Sequence, residues 1–99
     1  MIINSRKKWP FPAIIIRTND ELERIAPANG KYFALDEIQK LVDGYIEVVF
    51  PRGAIGGNVL ICDEEGQRKG KAYNALASAI YGSPIVGDVV LCPVGWLEG

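Results

Sequence analysis

The sequence predicts a small α+β domain, in which a mainly antiparallel sheet of four to five strands carries two short helices packed on one face. Two observations support this fold class. Runs of β-branched and aromatic residues alternate with two short segments whose apolar residues recur at helical spacing. Glycines, prolines or an acidic turn separate most of these segments, as short connections require. The 99 residues indicate one domain, 1–99, and its modest core leads us to expect a homo-oligomer.

The first third of the chain predicts one clear strand. Residues 1–12 form a candidate N-terminal arm, in which two prolines favour extended backbone. Residues 13–17 predict a strand, and their three consecutive isoleucines indicate burial on both faces. Residues 18–26 predict a capped helical turn, and the Pro-Ala-Asn-Gly sequence at 27–30 predicts the loop that ends it.

The central segment predicts a helix followed by a strand. Apolar residues in 35–42 recur every three or four positions, which defines one face of an amphipathic helix. Gly44 follows directly and predicts a left-handed helix stop. In residues 45–50 β-branched and aromatic residues dominate, with Glu47 as the only charge, and this pattern indicates a strand.

The next segment predicts a hairpin. Residues 51–57 contain three glycines and a proline and indicate a long loop between the strand at 45–50 and a strand at 58–62. Antiparallel pairing of these two strands follows. The acidic sequence at 63–66 predicts a tight turn, and we prefer this interpretation to a cation site because no further ligand set is evident.

The last third predicts a second helix and a final strand. Asn74 is suited to cap the start of a helix at 75–81, and Gly82 is suited to end it. Residues 85–92 predict a strand that Gly87 interrupts with a bulge or a close backbone approach.

The composition excludes several classes of function. No histidine is present, so Ser-His-Asp and Cys-His catalysis within one chain is excluded, and we expect a protein that is not an enzyme. A net charge of −1 argues against a general nucleic-acid binder. Cys62 and Cys92 each end an apolar run and predict buried thiols, and we expect no metal and no cofactor. Met1–Asn4 is too short for the core of a secretion signal and no run is long enough to cross a membrane, so we expect a cytoplasmic protein without membrane contact.

Residues 31–92 resemble an uncharacterised family, the domain of unknown function numbered 3846. The resemblance rests on Tyr32–Glu47, on the acidic turn 63–66, on Asn74 with Ala77-Ser78, and on Ile85–Val89. The chain departs from the family pattern at Asp43, where the first glycine of a pair is usual, and at Asp63, where asparagine is common. The resemblance implies no catalytic residue. It implies a phage-type accessory protein that acts on host processes, in the host cytoplasm if a phage encodes it.

Three stretches contain candidate ligand-binding residues. The first is the glycine-rich loop, in which backbone N–H groups beside a guanidinium can hold a phosphate; its candidates are Arg52, Gly53, Gly56 and Gly57. A flexible hairpin loop is the alternative, and the loop lacks the ending of a P-loop. The second is the N-terminal arm, where Lys7 and Trp9 combine a cation with an aromatic ring. Packing of this arm onto its own domain is the alternative.

The third stretch is the start of the second predicted helix. Helix N-termini present free N–H groups and positive potential, which favours an anion there. The candidates are Lys69, Lys71, Tyr73 and Asn74. A simple N-cap is the alternative explanation for Asn74.

The sequence therefore leaves two functional hypotheses open. The leading one is a non-enzymatic phage-type protein that binds a small anionic ligand, including a nucleotide immune signal that it would sequester from the host. The alternative is a protein–protein interaction module that inhibits or adapts a host protein, which needs only an exposed apolar surface.

Overall fold

The computed structural model describes residues 13–51 and 57–97. Within them five strands form one sheet: β1 (Ala13–Ile16), β2 (Leu22–Ile25), β3 (Ile46–Val49), β4 (Asn58–Asp63) and β5 (Val89–Pro93). The sheet order is β2-β1-β5-β4-β3, and every neighbouring pair is antiparallel. Two helices, α1 (Leu35–Val42) and α2 (Ala75–Tyr81), and a 3-10 turn (Val94–Trp96) complete the described part of the fold. The predicted α+β class and antiparallel sheet are confirmed.

The two helices lie on opposite faces of the sheet, so the prediction that they share one face is wrong. Ile15 packs with Ile38 and Val42 of α1, whereas Ile16 packs with Ala77 of α2. Successive side chains of a strand point to opposite faces, and Ile15 and Ile16 are both completely buried. A helix on each face covers both sets of side chains. Two helices on one face would leave the side chains of the other face exposed.

Residues 18–26 form a turn and strand β2, so the predicted helical turn is wrong. The backbone N–H of Arg17 donates to the carbonyl of Glu21 at 2.9 Å, and Asp20 adopts a left-handed conformation with φ of 73°. Strand β2 then pairs antiparallel with β1 along its whole length. Pairing with β1 satisfies backbone groups at that edge, which outweighs a weak local preference for helix.

The final strand begins later than the sequence predicts. Gly87 has a φ of 80° and turns the chain, and β5 starts at Val89. The carboxylate of Asp88 accepts hydrogen bonds from the backbone N–H of Thr18 at 3.1 Å and from Arg17 at 2.9 Å. These bonds attach the turn to the end of β1. Neither helix of the described part is long and apolar enough to cross a membrane.

Candidate functional site

Half of the predicted ligand-binding residues can be placed in the structure. The others lie outside the described residues: Lys7, Trp9, Arg52, Gly53 and Gly56. Gly57 is exposed, with a φ of 78°, and its carbonyl accepts a hydrogen bond from the N–H of Val94 at 2.9 Å. The long hairpin loop therefore ends at a backbone contact with the segment that follows β5.

Lys69 and Lys71 meet at the carboxylate of Asp63. Their ammonium groups lie 2.8 Å and 2.9 Å from Oδ2 of Asp63, whose side chain is only 1% exposed. Lys71 also donates to the backbone carbonyls of Val42 at 2.8 Å and Asp43 at 2.9 Å. Both cations therefore lie at the C-terminal end of α1, where the helix dipole favours positive charge, rather than at the start of α2.

The ion cluster formed by Asp63, Lys69 and Lys71 holds Asp63 in its charged form. Burial raises the pKa of Asp63, but hydrogen bonds from Lys69, from Lys71 and from the N–H of Glu65 outweigh it, and the pKa falls to about 2. The hydrogen bond to Asp63 in turn raises the pKa of Lys69. These ammonium groups are already engaged inside the protein, which limits what they contribute to an external anion.

The end of α1 depends on a close approach to the ion cluster. Asp43, rather than the predicted Gly44, adopts the left-handed conformation, with a φ of 60°. Gly44 is required for a different reason, because a Cβ atom at this position would overlap the carboxylate of Asp63.

We expect Gly44→Ala to lower the free energy of unfolding by about 2 kcal/mol, because the added methyl must displace Asp63 from its lysines. Urea unfolding followed by circular dichroism measures the change. Gly95→Ala is the matched control, since a Cβ at Gly95 meets open space. Equal stability of the two variants would contradict the close approach described above.

Asn74 is the predicted N-cap, and every hydrogen-bonding group of its side chain is used inside the protein. The residue is completely buried, and its Oδ1 accepts from the N–H of Ala77 at 3.0 Å. Its Nδ2 donates to the carbonyls of Ile16 at 2.9 Å and Gly87 at 2.8 Å. Tyr73 beside it is 58% exposed. Three of the five described candidates therefore belong to structural junctions, Lys69 and Lys71 at Asp63 and Asn74 at the start of α2. Gly57 and Tyr73 belong to neither junction.

The two cysteines are free and buried, as predicted. Burial raises the pKa of the Cys62 thiol to about 11, with further contributions from Glu47 and Asp63. Burial also raises the pKa of the Cys92 thiol to about 12. Since the thiolate is the reactive form, neither side chain has the character of a nucleophile at neutral pH.

Strand β3 is an outer strand of the sheet that the described residues form, and it presents backbone groups that sequence patterns did not identify. The N–H of Glu64 donates to the carbonyl of Tyr45 at 2.8 Å, so the backbone groups of Tyr45 point towards β4. The N–H and C=O groups of successive residues in an antiparallel strand point alternately to one side and the other. Those of Glu47, two positions after Tyr45 and paired with Cys62, therefore also point towards β4. The N–H and C=O groups of Ile46 and Val48 therefore point away from β4, towards the outer edge.

Exposed aromatic side chains stand at both ends of this edge. Tyr45 is 67% exposed and Phe50 is 65% exposed. The alternation of strand residues in 45–50 could have indicated which backbone groups face outward, but the sequence does not show that β3 is the outermost strand. We define Tyr45–Phe50 as the β3 edge.

The comparisons with known proteins agree with the resemblance noted in the sequence. No curated protein and no solved structure matches the chain. The model of one family, described as a domain of unknown function, DUF3846, matches residues 12–95. This range includes all five strands and both helices of the described fold. The chain therefore belongs to the DUF3846 family.

Proposed function

We propose that the protein acts by binding, and that it receives an extended segment of a partner protein as an additional strand on the β3 edge. The observation that supports this most strongly is the outward direction of the Ile46 and Val48 backbone groups between exposed Tyr45 and Phe50. Strand addition uses such backbone groups for affinity and the alternating side chains for specificity.

The opposite edge of the sheet is less suited to the same role. Strand β2 carries Glu23 and Arg24, and Glu23 forms an ion pair with Arg17 at 2.8 Å. Charged side chains on an outer strand discourage the addition of another strand. The β3 edge has Glu47 as its only charge, with four apolar or aromatic neighbours and Phe50 at its end. Binding is therefore expected at β3 rather than at β2.

An interaction module of this kind corresponds to the alternative hypothesis from the sequence, in which the partner is a host protein and the protein has a phage-type accessory role. The leading hypothesis, a small anionic ligand, has weaker support. Lys69, Lys71 and the Asn74 amide are engaged with internal partners. The experiment below also tests the anionic-ligand hypothesis, with a result that differs from the one expected for strand addition.

Three seven-residue peptides test the proposal. Valine alternates with lysine in the first peptide, with glutamine in the second and with glutamate in the third. We expect at least one of them to shift the NMR signals of residues 45–50, and we expect Val48→Pro to abolish this binding. Proline removes the outward N–H of Val48 and is tolerated where a strand N–H faces away from the sheet. A second control changes the peptide instead of the protein. The peptide that binds is N-methylated at alternate residues, so that it lacks the N–H donors that strand addition requires.

The result can count against the proposal in two ways. Absence of binding by all three peptides would contradict strand addition at β3, as would equal binding by the N-methylated peptide. Calorimetry with cyclic dinucleotides and ADP-ribose provides the comparison. Heat from these compounds, without any peptide binding, would favour the anionic-ligand hypothesis instead.

A further inference from the structure

A groove runs beside the β3 edge on the α2 face of the sheet. Paired residues of neighbouring strands share a face, so Glu47, which pairs with Cys62, lies on the same face as the α2 cluster that contains Cys62. The lining of the groove includes Glu47 and Val49 of β3, Asp63 and Glu64 at the end of β4, and Tyr81 and Pro84 at the end of α2. An added strand at β3 would place every second side chain over this groove.

The charged residues that line the groove are all acidic in the described part of the chain. Glu47 and Glu64 are exposed, and no lysine or arginine is among its described lining residues. The third acidic residue, Asp63, is neutralised by Lys69 and Lys71, so the charge left for a partner comes from the two glutamates. Val49, Tyr81 and Pro84 are also in the lining, and most of their side-chain surface is apolar. An aliphatic side chain that ends in a cation satisfies both features.

We infer that the segment received at β3 is cationic on its groove side, with lysine or arginine opposite Glu47 and apolar residues at the alternate positions. This inference rests on the proposed function. Ile46 and Val48 supply the outward hydrogen bonds, so in a segment that pairs antiparallel with β3 the residue opposite Glu47 occupies a non-hydrogen-bonded position. At such positions the facing Cα atoms are about 4.5 Å apart, the closer of the two spacings, and opposite charges across strands are favourable.

The alternate side chains of the added segment meet the other face of the sheet. Ile46 and Val48 are half-buried there and pack against the α1 cluster. Valine, isoleucine or threonine in the partner would extend that apolar surface. The preferred partner therefore alternates cations with β-branched residues, and the groove does not favour an anionic segment.

Fluorescence anisotropy with the three labelled peptides tests the inference. We expect the lysine peptide to bind about tenfold more tightly than the glutamate peptide, with the glutamine peptide between them. Glu47→Lys is expected to weaken binding of the lysine peptide about tenfold and to strengthen binding of the glutamate peptide. Glu21→Lys makes the same change of charge at an exposed residue outside the groove and is expected to alter binding by less than about twofold.

The outcomes separate the inference from the proposed function. If the three peptides bind with equal affinity and Val48→Pro abolishes their binding, strand addition is supported and the cationic preference is overturned. Equal effects of Glu47→Lys and Glu21→Lys would also overturn it, because the preference would then reflect net charge alone. If no peptide binds, the proposed function fails, and this inference fails with it.

Discussion

Replacement of Asn74 with alanine is expected to lower the free energy of unfolding by about 4 kcal/mol. The side chain caps α2 through the N–H of Ala77, and loss of such a cap costs about 1 kcal/mol. The larger part comes from the carbonyls of Ile16 and Gly87, which lose their donor in a completely buried site, at about 1–3 kcal/mol each. One amide thus joins α2, the end of β1 and the turn before β5.

Urea unfolding at neutral pH measures this effect, and Asn19→Ala is the matched control. Asn19 is exposed and, among the described residues, accepts a single hydrogen bond, from the N–H of Glu21 at 3.1 Å. Its removal is expected to cost less than about 1 kcal/mol. If Asn74→Ala and Asn19→Ala were equally stable, the buried junction would not contribute as described.

The second large effect is expected at Asp63. Asp63→Asn removes the nearer of two carboxylates from Lys71, which is 17% exposed and keeps only Asp43 at 3.6 Å, and we expect a loss of about 3 kcal/mol in the free energy of unfolding. Asparagine keeps the size of the side chain, so the loss reports charge and hydrogen bonding rather than packing. Glu64→Gln removes the neighbouring exposed carboxylate and is expected to change stability by less than about 0.5 kcal/mol.

The acid dependence of stability provides a second measurement on the same residue. Because the pKa of Asp63 falls from 3.8 to about 2 on folding, its stabilisation is present above pH 3.8 and disappears as the pH falls towards 2. The shift corresponds to about 2 kcal/mol. Wild type should therefore lose this amount between pH 4 and pH 2 in excess of Asp63→Asn. Parallel acid profiles for the two proteins would show that Asp63 is not held in its charged form.

Sequence periodicity predicted both helices well because apolar residues recur at helical spacing in each segment, and α2 also has a local signal at each end. The bounds of α1 and α2 match the predicted ranges 35–42 and 75–81, and Asn74 and Gly82 cap α2 as expected. The relative placement of the helices has no local signal. The isoleucines of β1 did indicate burial on both faces, and a helix on each face is the arrangement that satisfies them.

Strand β2 shows how a short apolar pattern can mislead. Leu22 and Ile25 are three residues apart, a spacing that also suits one turn of helix. In the structure Leu22 is 55% exposed, so its apolar character does not report a buried helical face. The strand is fixed by its pairing with β1, which the segment itself does not encode.

The candidate site was the least predictable part of the molecule. Lys71 was predicted to lie near the start of the second helix, yet its ammonium donates to the carbonyl of Val42, 29 residues away in the sequence. Asp43 was identified only as a departure from a family glycine, and its left-handed φ of 60° explains why glycine suits that position. Contacts between residues distant in the sequence determine both cases, and local patterns do not show such contacts.

Hydrogen exchange of the β3 amides tests the open edge most directly. In the free protein the N–H groups of Ile46 and Val48 are expected to exchange at least about tenfold faster than that of Glu47, which faces β4. Addition of the lysine peptide is expected to slow Ile46 and Val48 selectively. If these two amides were already as protected as Glu47 in the free protein, the edge would be occupied, and strand addition at β3 would be contradicted.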